Sequence, residues 1–322
     1  MLMTKKLLVV DADTILHASS AQQQLNKCLA TNIEYGSQRL FESKTAFNKW
    51  LETKEDRTKD MYTFETISEI KPDAEPRFAF QSIKQKVDKI VEAAGCDDFV
   101  VCIEGEGNFR KDFASRFVDY KGQRSAKPLL FEECRDFFLK KYKEKVILSE
   151  GRETDDTCNI LAWESYRKGL EAKDTSKCDV VLAFCDKDLA ANSRGWLLNY
   201  NKLENGIFWN DSFTQAYNFA TQLLTGDTAD NIPGIEKLSK ITKEQFGIKV
   251  EGVGPATAKK VLADCKTEAE LAARVFECYS AMYGEEEGWD ERLDENGFFL
   301  YLLRHDKDEW DLNRYLKGTI YE

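Results

Sequence analysis

Three short apolar runs that each end in acids dominate the patterning of the chain. Lys5–Asp13 reads KKLLVVDAD, Phe99–Glu104 reads FVVCIE and Asp179–Asp188 reads DVVLAFCDKD. Continuous apolar runs of this length fit strands buried on both faces of a parallel sheet. Between them, Phe80–Ala94, Phe131–Tyr142 and Thr154–Lys168 place apolar residues at roughly three-to-four spacing, which predicts helices. Strands alternating with helices predict an α/β fold with a largely parallel central sheet flanked by helices. In such sheets ligands bind beyond the carboxyl ends of the strands, at a switch in strand order, and that is where these acids gather. The stretch from Ala21 to Glu75 is polar and weakly periodic and reads as a helical insertion. Beyond about residue 225 the chain becomes helical and glycine-punctuated, which predicts an α/β domain over residues 1–225 and a helical region over residues 226–322.

The 322 residues are 42% hydrophobic and 32% charged with only 5 prolines, which describes a folded chain rather than a disordered one. No apolar run approaches the ~18 residues of a membrane span. The start lacks a small-residue cleavage site, so the expected setting is intracellular. Nine cysteines without a C-x-x-C pair and only two histidines argue against a disulfide framework, zinc catalysis and a Ser-His-Asp triad. A metal would have to sit on carboxylates. The net charge of −11 opposes polyanion binding on average, yet two islands run the other way. Residues 107–128 and 237–260 each hold six lysines and arginines against two acids, a pattern suited to a localised polyanion track.

Five acidic clusters stand out: Asp11 with Asp13; Glu104 with Glu106; Glu153, Asp155 and Asp156; Asp186 with Asp188; and Asp227 with Asp230. Singly, each fits a helix cap or strand-end turn. Gathered at one sheet edge they would repel one another unless cations neutralised them. Oxygen-only ligands favour Mg²⁺ or Mn²⁺ over zinc, and two such ions suit in-line phosphoryl displacement.

In order, VVDAD, Glu104 followed by FRKDF and YKGQR, GRETDDTCNILA, FCDKDL, LTGDTADNIPGI and VEGVGPATAKKVL resemble the bacteriophage and bacterial 5′-3′ exonuclease and flap endonuclease family, over roughly residues 5–263. The resemblance implies a PIN/5′-nuclease-like fold with a helical arch near residues 105–145 and a C-terminal helix-hairpin-helix-type region that grips duplex DNA. It implies a two-metal nuclease acting on DNA 5′ ends, flaps and nicks, and on RNA in RNA–DNA hybrids. The metal positions it implies are Asp11, Glu104, Glu153, Asp155, Asp156, Asp186, Asp188, Asp227 and Asp230, with Asp11 and Asp155 counted among the catalytic groups. Relatives usually carry Asp where this chain has Glu104, with Glu106 nearby, and the choice between the two stays open. Asp13 stands where the family commonly has glycine and is left outside the set.

Lys121 and Arg124 resemble the family's basic run at the base of the arch and would share a face if helical, placed to hold the scissile phosphate. Arg110 and Lys111 would help admit a strand, and Tyr120 could stack on a base. Gly252, Gly254, Lys259 and Lys260 form a glycine turn opening a helix, suited to duplex phosphates, where the resemblance also implies K⁺. The implied setting is phage replication and primer removal in a bacterial cytoplasm, with a single-strand-binding or replication protein as partner. Two rivals remain. VVDADTIL fits a haloacid-dehalogenase-like phosphatase with Asp11 as nucleophile and Asp13 as general acid. The other is a module that binds branched DNA without cutting it.

Overall fold

The computed structural model describes residues 6–124 and 126–320. In chain order its strands are β1 (Leu7–Asp11), β2 (Gln24–Asn32), β3 (Gln38–Phe41), β4 (Tyr62–Ile70), β5 (Asp98–Glu104), β6 (Val146–Ser149), β7 (Val180–Phe184), β8 (Gly195–Asn199) and β9 (Phe208–Asn210). The helices are α1 (Asp13–Ala21), α2 (Lys44–Leu51), α3 (Pro76–Ala94), α4 (Phe131–Lys141), α5 (Thr154–Ala172), α6 (Lys187–Asn192), α7 (Ser212–Thr225), α8 (Lys240–Gln245), α9 (Pro255–Val261), α10 (Glu268–Tyr283), α11 (Trp289–Leu300) and α12 (Leu312–Leu316). The chain divides into two compact units, one made of residues 1–13, 89–125 and 144–322, the other of residues 14–88 and 126–143. The division does not fall at residue 225: the C-terminal helices share the first unit with the central sheet.

The first unit is built on a six-stranded sheet ordered β6-β5-β1-β7-β8-β9. Its first five strands are parallel and β9 is antiparallel. This is the α/β architecture that the apolar runs predict. Leu8, Val9 and Val10 of β1 and Val181, Leu182 and Ala183 of β7 have no exposed surface, as expected of strands covered on both faces. Connections leave β1 toward β5 on one side and return to β7 on the other, so the order reverses between β1 and β7. A crevice opens at such a switch, beyond the strands' carboxyl ends. Helix α5 packs against β1, β5, β6, β7 and β8, with Cys158, Ala162 and Leu182 in one core cluster. A second core, centred on Phe219, Leu223, Val275, Tyr279 and Leu293, binds α7, α10 and α11 together. Tyr279 and Tyr283 donate their buried hydroxyls to the carbonyls of Leu223 (2.7 Å) and Ile235 (2.6 Å), fixing α10 to α7 and to the loop that follows it.

The second unit corrects the expected helical insertion. Residues 24–70 form an antiparallel sheet ordered β3-β2-β4, with α2 and a short 3₁₀ turn (Lys59–Met61) between β3 and β4. Its inward positions alternate, but Cys28 and Ala30 are small and their neighbours are polar, so the two-residue period is faint in a hydrophobicity pattern. Phe41, Phe47 and Tyr62 give this sheet and α2 a small aromatic core. Phe80 of α3 stacks on Phe137 of α4 at 4.5 Å in the same unit. The expected helical arch also differs: between Phe113 and Leu130 the described residues form turns and extended chain, and regular helix begins only at Phe131. All nine cysteines are free thiols. Among the described residues no helix is long and apolar enough to cross a membrane.

The loop after α7 is closed by a backbone bridge, with Asp227 and Asn296 adding side-chain bonds to the Ala229 N–H and the Gly234 carbonyl. Asp227 and Ile232 exchange N–H···O=C bonds of 2.8 and 2.7 Å. Gly226 and Gly234 have φ of +68° and +64°, and a Cβ on either would lie within 2.6 Å of the other's backbone segment. Substituting Gly234 by Ala therefore adds left-handed strain of ~1–3 kcal/mol and a backbone clash. The expected result is a clear fall in thermal midpoint by circular dichroism; an unchanged midpoint would contradict this account.

Candidate active site

Acids gather at the carboxyl ends of β1 and β7 from four strand and helix ends and from the loop after α7. Asp11 closes β1 and is 3% exposed. Asp155 and Asp156 lie in the first turn of α5, where the helix dipole favours negative charge. Asp186 caps α6 by accepting the Asp188 N–H at 3.2 Å. Asp227 and Asp230 sit in the loop after α7. Glu104 ends β5 and Glu153 precedes α5.

Electrostatics divides these acids into two groups. Glu153, Asp156, Asp227 and Asp230 each have a cation. Lys121 Nζ binds Glu153 and lies 3.5 Å from Asp230, and Arg124 reaches Asp230 at 2.5 Å. Lys187 meets Asp227 at 2.9 Å. Burial alone would raise the Glu153 carboxyl, but Lys121, Arg110 and the Tyr120 hydroxyl at 2.8 Å hold it at about 2. Asp11, Asp155 and Asp188 are under the opposite pressure. Burial, then Asp13 and Asp186, push Asp11 up to about 8. Burial and the nearby Asp11 and Asp186 raise Asp155 well above the carboxylate range. Asp188 is raised by burial, Asp186 and Asp227, although Gln222 donates to it.

Such concentrated charge is what a cation relieves. Asp186, Asp188 and Asp227 can each turn one oxygen to a common centre, the three atoms lying within 4.8 Å of one another. An all-oxygen donor set with unrelieved negative charge beside it fits a hard divalent cation.

The basic residues are placed differently from the sequence expectation. Arg110 is not available to admit a strand, because its side chain is fully buried and forms a two-pronged pair with Asp156, at 2.6 and 2.9 Å. It also donates to the Tyr301 carbonyl. Asp156 is thereby committed: it accepts the Leu303 N–H at 2.9 Å and the Glu153 N–H at 3.1 Å besides Arg110, and it acts as an internal anchor. Lys121 and Arg124 share no helix face; Lys121 has φ of +57° in a turn whose N–H donates to the Asp230 carbonyl at 2.9 Å. The two cations nonetheless converge, through Asp230. Tyr120 stacks on Phe299 at 4.6 Å rather than presenting an open ring face. Lys111 is exposed. Gly254 caps α9 with Pro255 in its first turn, and Lys259 and Lys260 are exposed on its last turn, while Gly252 bridges to Lys237. Glu106 is exposed in the loop after β5.

Several contributors lie outside the set that the sequence assigns to the site. Asp13 accepts the Glu104 N–H at 2.9 Å with one oxygen and the Thr154 hydroxyl with the other, so it joins the ends of β1 and β5 to α5. The Tyr200 hydroxyl donates to the Asp11 carbonyl at 3.1 Å, and Asn108 donates to Glu153 at 2.8 Å. Asp13 was legible in sequence as the acid beside Asp11, and Lys187 as the middle residue of D-K-D; Tyr200 and Asn108 carried no such signal.

Two outcomes follow from the charge distribution. Substituting Arg110 by Met strands the buried Asp156 and should cost ~3–5 kcal/mol in urea unfolding, and Asp156→Leu added to it should recover part of the loss. Equal stability of wild type and Arg110→Met would refute the pairing. An unfolded aspartate titrates near ~3.9, whereas folded Asp11 titrates at about 8. The fold binds that proton more tightly, so its contribution is complete below pH ~4 and is lost as pH rises toward 8. Glu153, held low, contributes oppositely, its share being lost as pH falls toward 2. In EDTA the urea midpoint should therefore decline from pH 5 to pH 8; a rising midpoint would show that the acids are not mutually strained.

No family model matches the chain. Over 139 residues, 40% of its length, it is 27% identical to a 5′-3′ exonuclease of Buchnera aphidicola subsp. Acyrthosiphon pisum (strain APS), and the match spans 46% of that relative. A point mutant of T5 5′-exonuclease aligns with a TM-score of 0.45 at 13% identity, covering 99% of this chain and all of the other. The T5 D15 protein co-crystallized with metal ions gives 0.41 at 12%, covering 99% of this chain and 100% of that one. A bacteriophage T5 D15 flap endonuclease complex with DNA and metal ions gives 0.39 at 12%, covering 92% and 99%. In sequence, this chain is similar to a 5′-3′ exonuclease, and it spans less than half of that relative's length.

Proposed function

We propose that the chain is a metal-dependent 5′-3′ nuclease that hydrolyses phosphodiesters at DNA 5′ ends and flaps. One observation carries this reading: uncompensated carboxylates at the β1/β7 switch stand beside two cations, Lys121 and Arg124, that converge on the same cluster. Asp11, Asp155, Asp186, Asp188 and Asp227 would hold Mg²⁺, two ions in all, with Mn²⁺ as a substitute and Glu104 and Asp230 at the margin. When bound, such ions supply neutralising charge, activate water and stabilise the leaving oxygen of a displacement.

The chain's own residues do the positioning. Lys121 and Arg124 hold Glu153 and Asp230 in the free protein and would turn to the non-bridging oxygens of an incoming phosphate, which releases those carboxylates to the cluster. The turn fixed by the Lys121 N–H and the Asp230 carbonyl keeps both cations close to the acids throughout. Asp11, kept from solvent beside Asp155 and Asp186, is placed to share a cation held in the crevice. Gly252, Gly254, Lys259 and Lys260 would take duplex phosphates, with K⁺ at the turn, and Lys111 would add to the basic path. RNA in RNA–DNA hybrids, a role in phage replication within a bacterial cytoplasm and a single-strand-binding partner extend the same proposal. Asp13, with both oxygens engaged by Glu104 and Thr154, is poorly placed for the general-acid role of a phosphatase reading.

The test is a 5′-labelled flap duplex incubated with the protein in Mg²⁺, beside an EDTA control and Asp155→Asn. Cutting near the junction or the 5′ end, lost in EDTA and in the variant while anisotropy shows retained binding, is the expected result. Lys121→Ala should slow cleavage by roughly 10²–10³-fold, the scale of losing one charge-stabilising donor. Intact DNA in both Mg²⁺ and Mn²⁺ would sink the proposal.

A further inference from the structure

The small antiparallel sheet of the second unit carries a corner where exposed cations lie over aromatic rings, within a stretch, residues 33–60, whose six lysines and arginines are matched by six acids. The Arg39 guanidinium lies 5.1 Å from the ring centres of both Phe41 and Trp50. Arg57 stands 5.7 Å and Lys54 5.9 Å from the Trp50 ring, and Lys44 lies 5.1 Å from Phe64. All four cations are exposed. Arg57 donates to the Tyr62 hydroxyl at 3.2 Å and has Asp56 only at 4.0 Å, while Arg39, Lys44 and Lys54 have no carboxylate within that distance among the described residues. At the turn between β2 and β3, Tyr35 is 75% exposed and lies within electrostatic reach of Arg57.

Long cationic side chains often lie along apolar surface to cover it, which accounts for their stems. It does not account for three cations without acid partners on a chain of net charge −11, nor for an aromatic ring left three-quarters in water beside them. Cations that bind phosphates, interleaved with ring and guanidinium planes on which bases stack, are what a single strand of nucleic acid requires. A duplex keeps its base faces stacked inside and can use only the charge.

We propose that Tyr35, Arg39, Lys44, Lys54 and Arg57 form a binding surface for single-stranded nucleic acid on the β3-β2-β4 sheet. None of these residues belongs to the nuclease reading, so the two stand or fall separately.

The experiment measures anisotropy of a labelled single-stranded oligodeoxynucleotide and of a duplex of equal length with the whole chain in EDTA, across a salt series. Tyr35→Ala should weaken single-strand binding by roughly 5- to 100-fold, the range for losing one stacked base, with duplex affinity unchanged. Arg39→Gln with Arg57→Gln should weaken it too and flatten the salt dependence, by about 0.7 in the log–log slope per lost phosphate contact. Lys44→Gln with Lys54→Gln, which leaves the Arg57–Tyr62 bond in place, should act in the same direction; thermal midpoints confirm that each variant is folded. Single-strand affinity that survives all three sets, equal losses for duplex, or equally good competition by a polyglutamate peptide would overturn the proposal. Wild-type protein that binds the strand yet fails to cut a flap in Mg²⁺ would keep this surface and remove the nuclease reading.

Discussion

Mutual repulsion among carboxylates is the constraint around which the first unit is organised. Asp11, Asp155 and Asp188 are brought together by a strand order that reverses between β1 and β7, and none has a cation of its own that offsets its burial. Such a group is tolerable because neighbouring acids are neutralised. Arg110 cancels Asp156 in the interior, and Lys121 and Arg124 occupy Glu153 and Asp230 at the rim. The remaining negative charge is thereby confined to the crevice. Folding stability is surrendered locally to keep a high charge density in the crevice.

The scaffold that permits this lies mainly outside the crevice. Two tyrosine hydroxyls tie α10 to the segment around Asp227 and Asp230, and the loop itself closes through backbone bonds. Asp227 also accepts the Ala229 N–H with one oxygen, which sets the orientation of its carboxylate toward Asp186 and Asp188. The Arg110–Asp156 pair likewise joins residues far apart in sequence and fixes the start of α5 from beneath, leaving Asp155 to face the crevice side.

How much of this was legible follows from where the information resides. Strands β1, β5 and β7 were readable because burial on both faces demands unbroken apolar runs, and the acids at their ends were readable because the runs stop there. Strands β2 and β4 were not, since a sheet covered by one short helix needs only small residues such as Cys28 and Ala30 inside, and polar residues dilute the alternation. The acidic set could be assembled from motif order, but its division into neutralised and unneutralised members could not. Arg110 looked like a surface cation because a basic island surrounds it, and its burial depends on Asp156 and the Tyr301 carbonyl, which no local pattern announces. Lys121 and Arg124 converge through a left-handed turn rather than through helix spacing, a conformation that the flanking residues do not specify.

Asp13 gives the crevice a property of a different kind. A single carboxyl group, with one oxygen on the end of β5 and the other on the first residue of α5, makes three separate stretches of chain share one mechanical joint. The spacing among the acids of β1, β5 and α5 is therefore fixed by the fold itself. Little reorganisation is left for binding, so affinity in this crevice should be governed by charge and fit rather than by the freezing of loose chain.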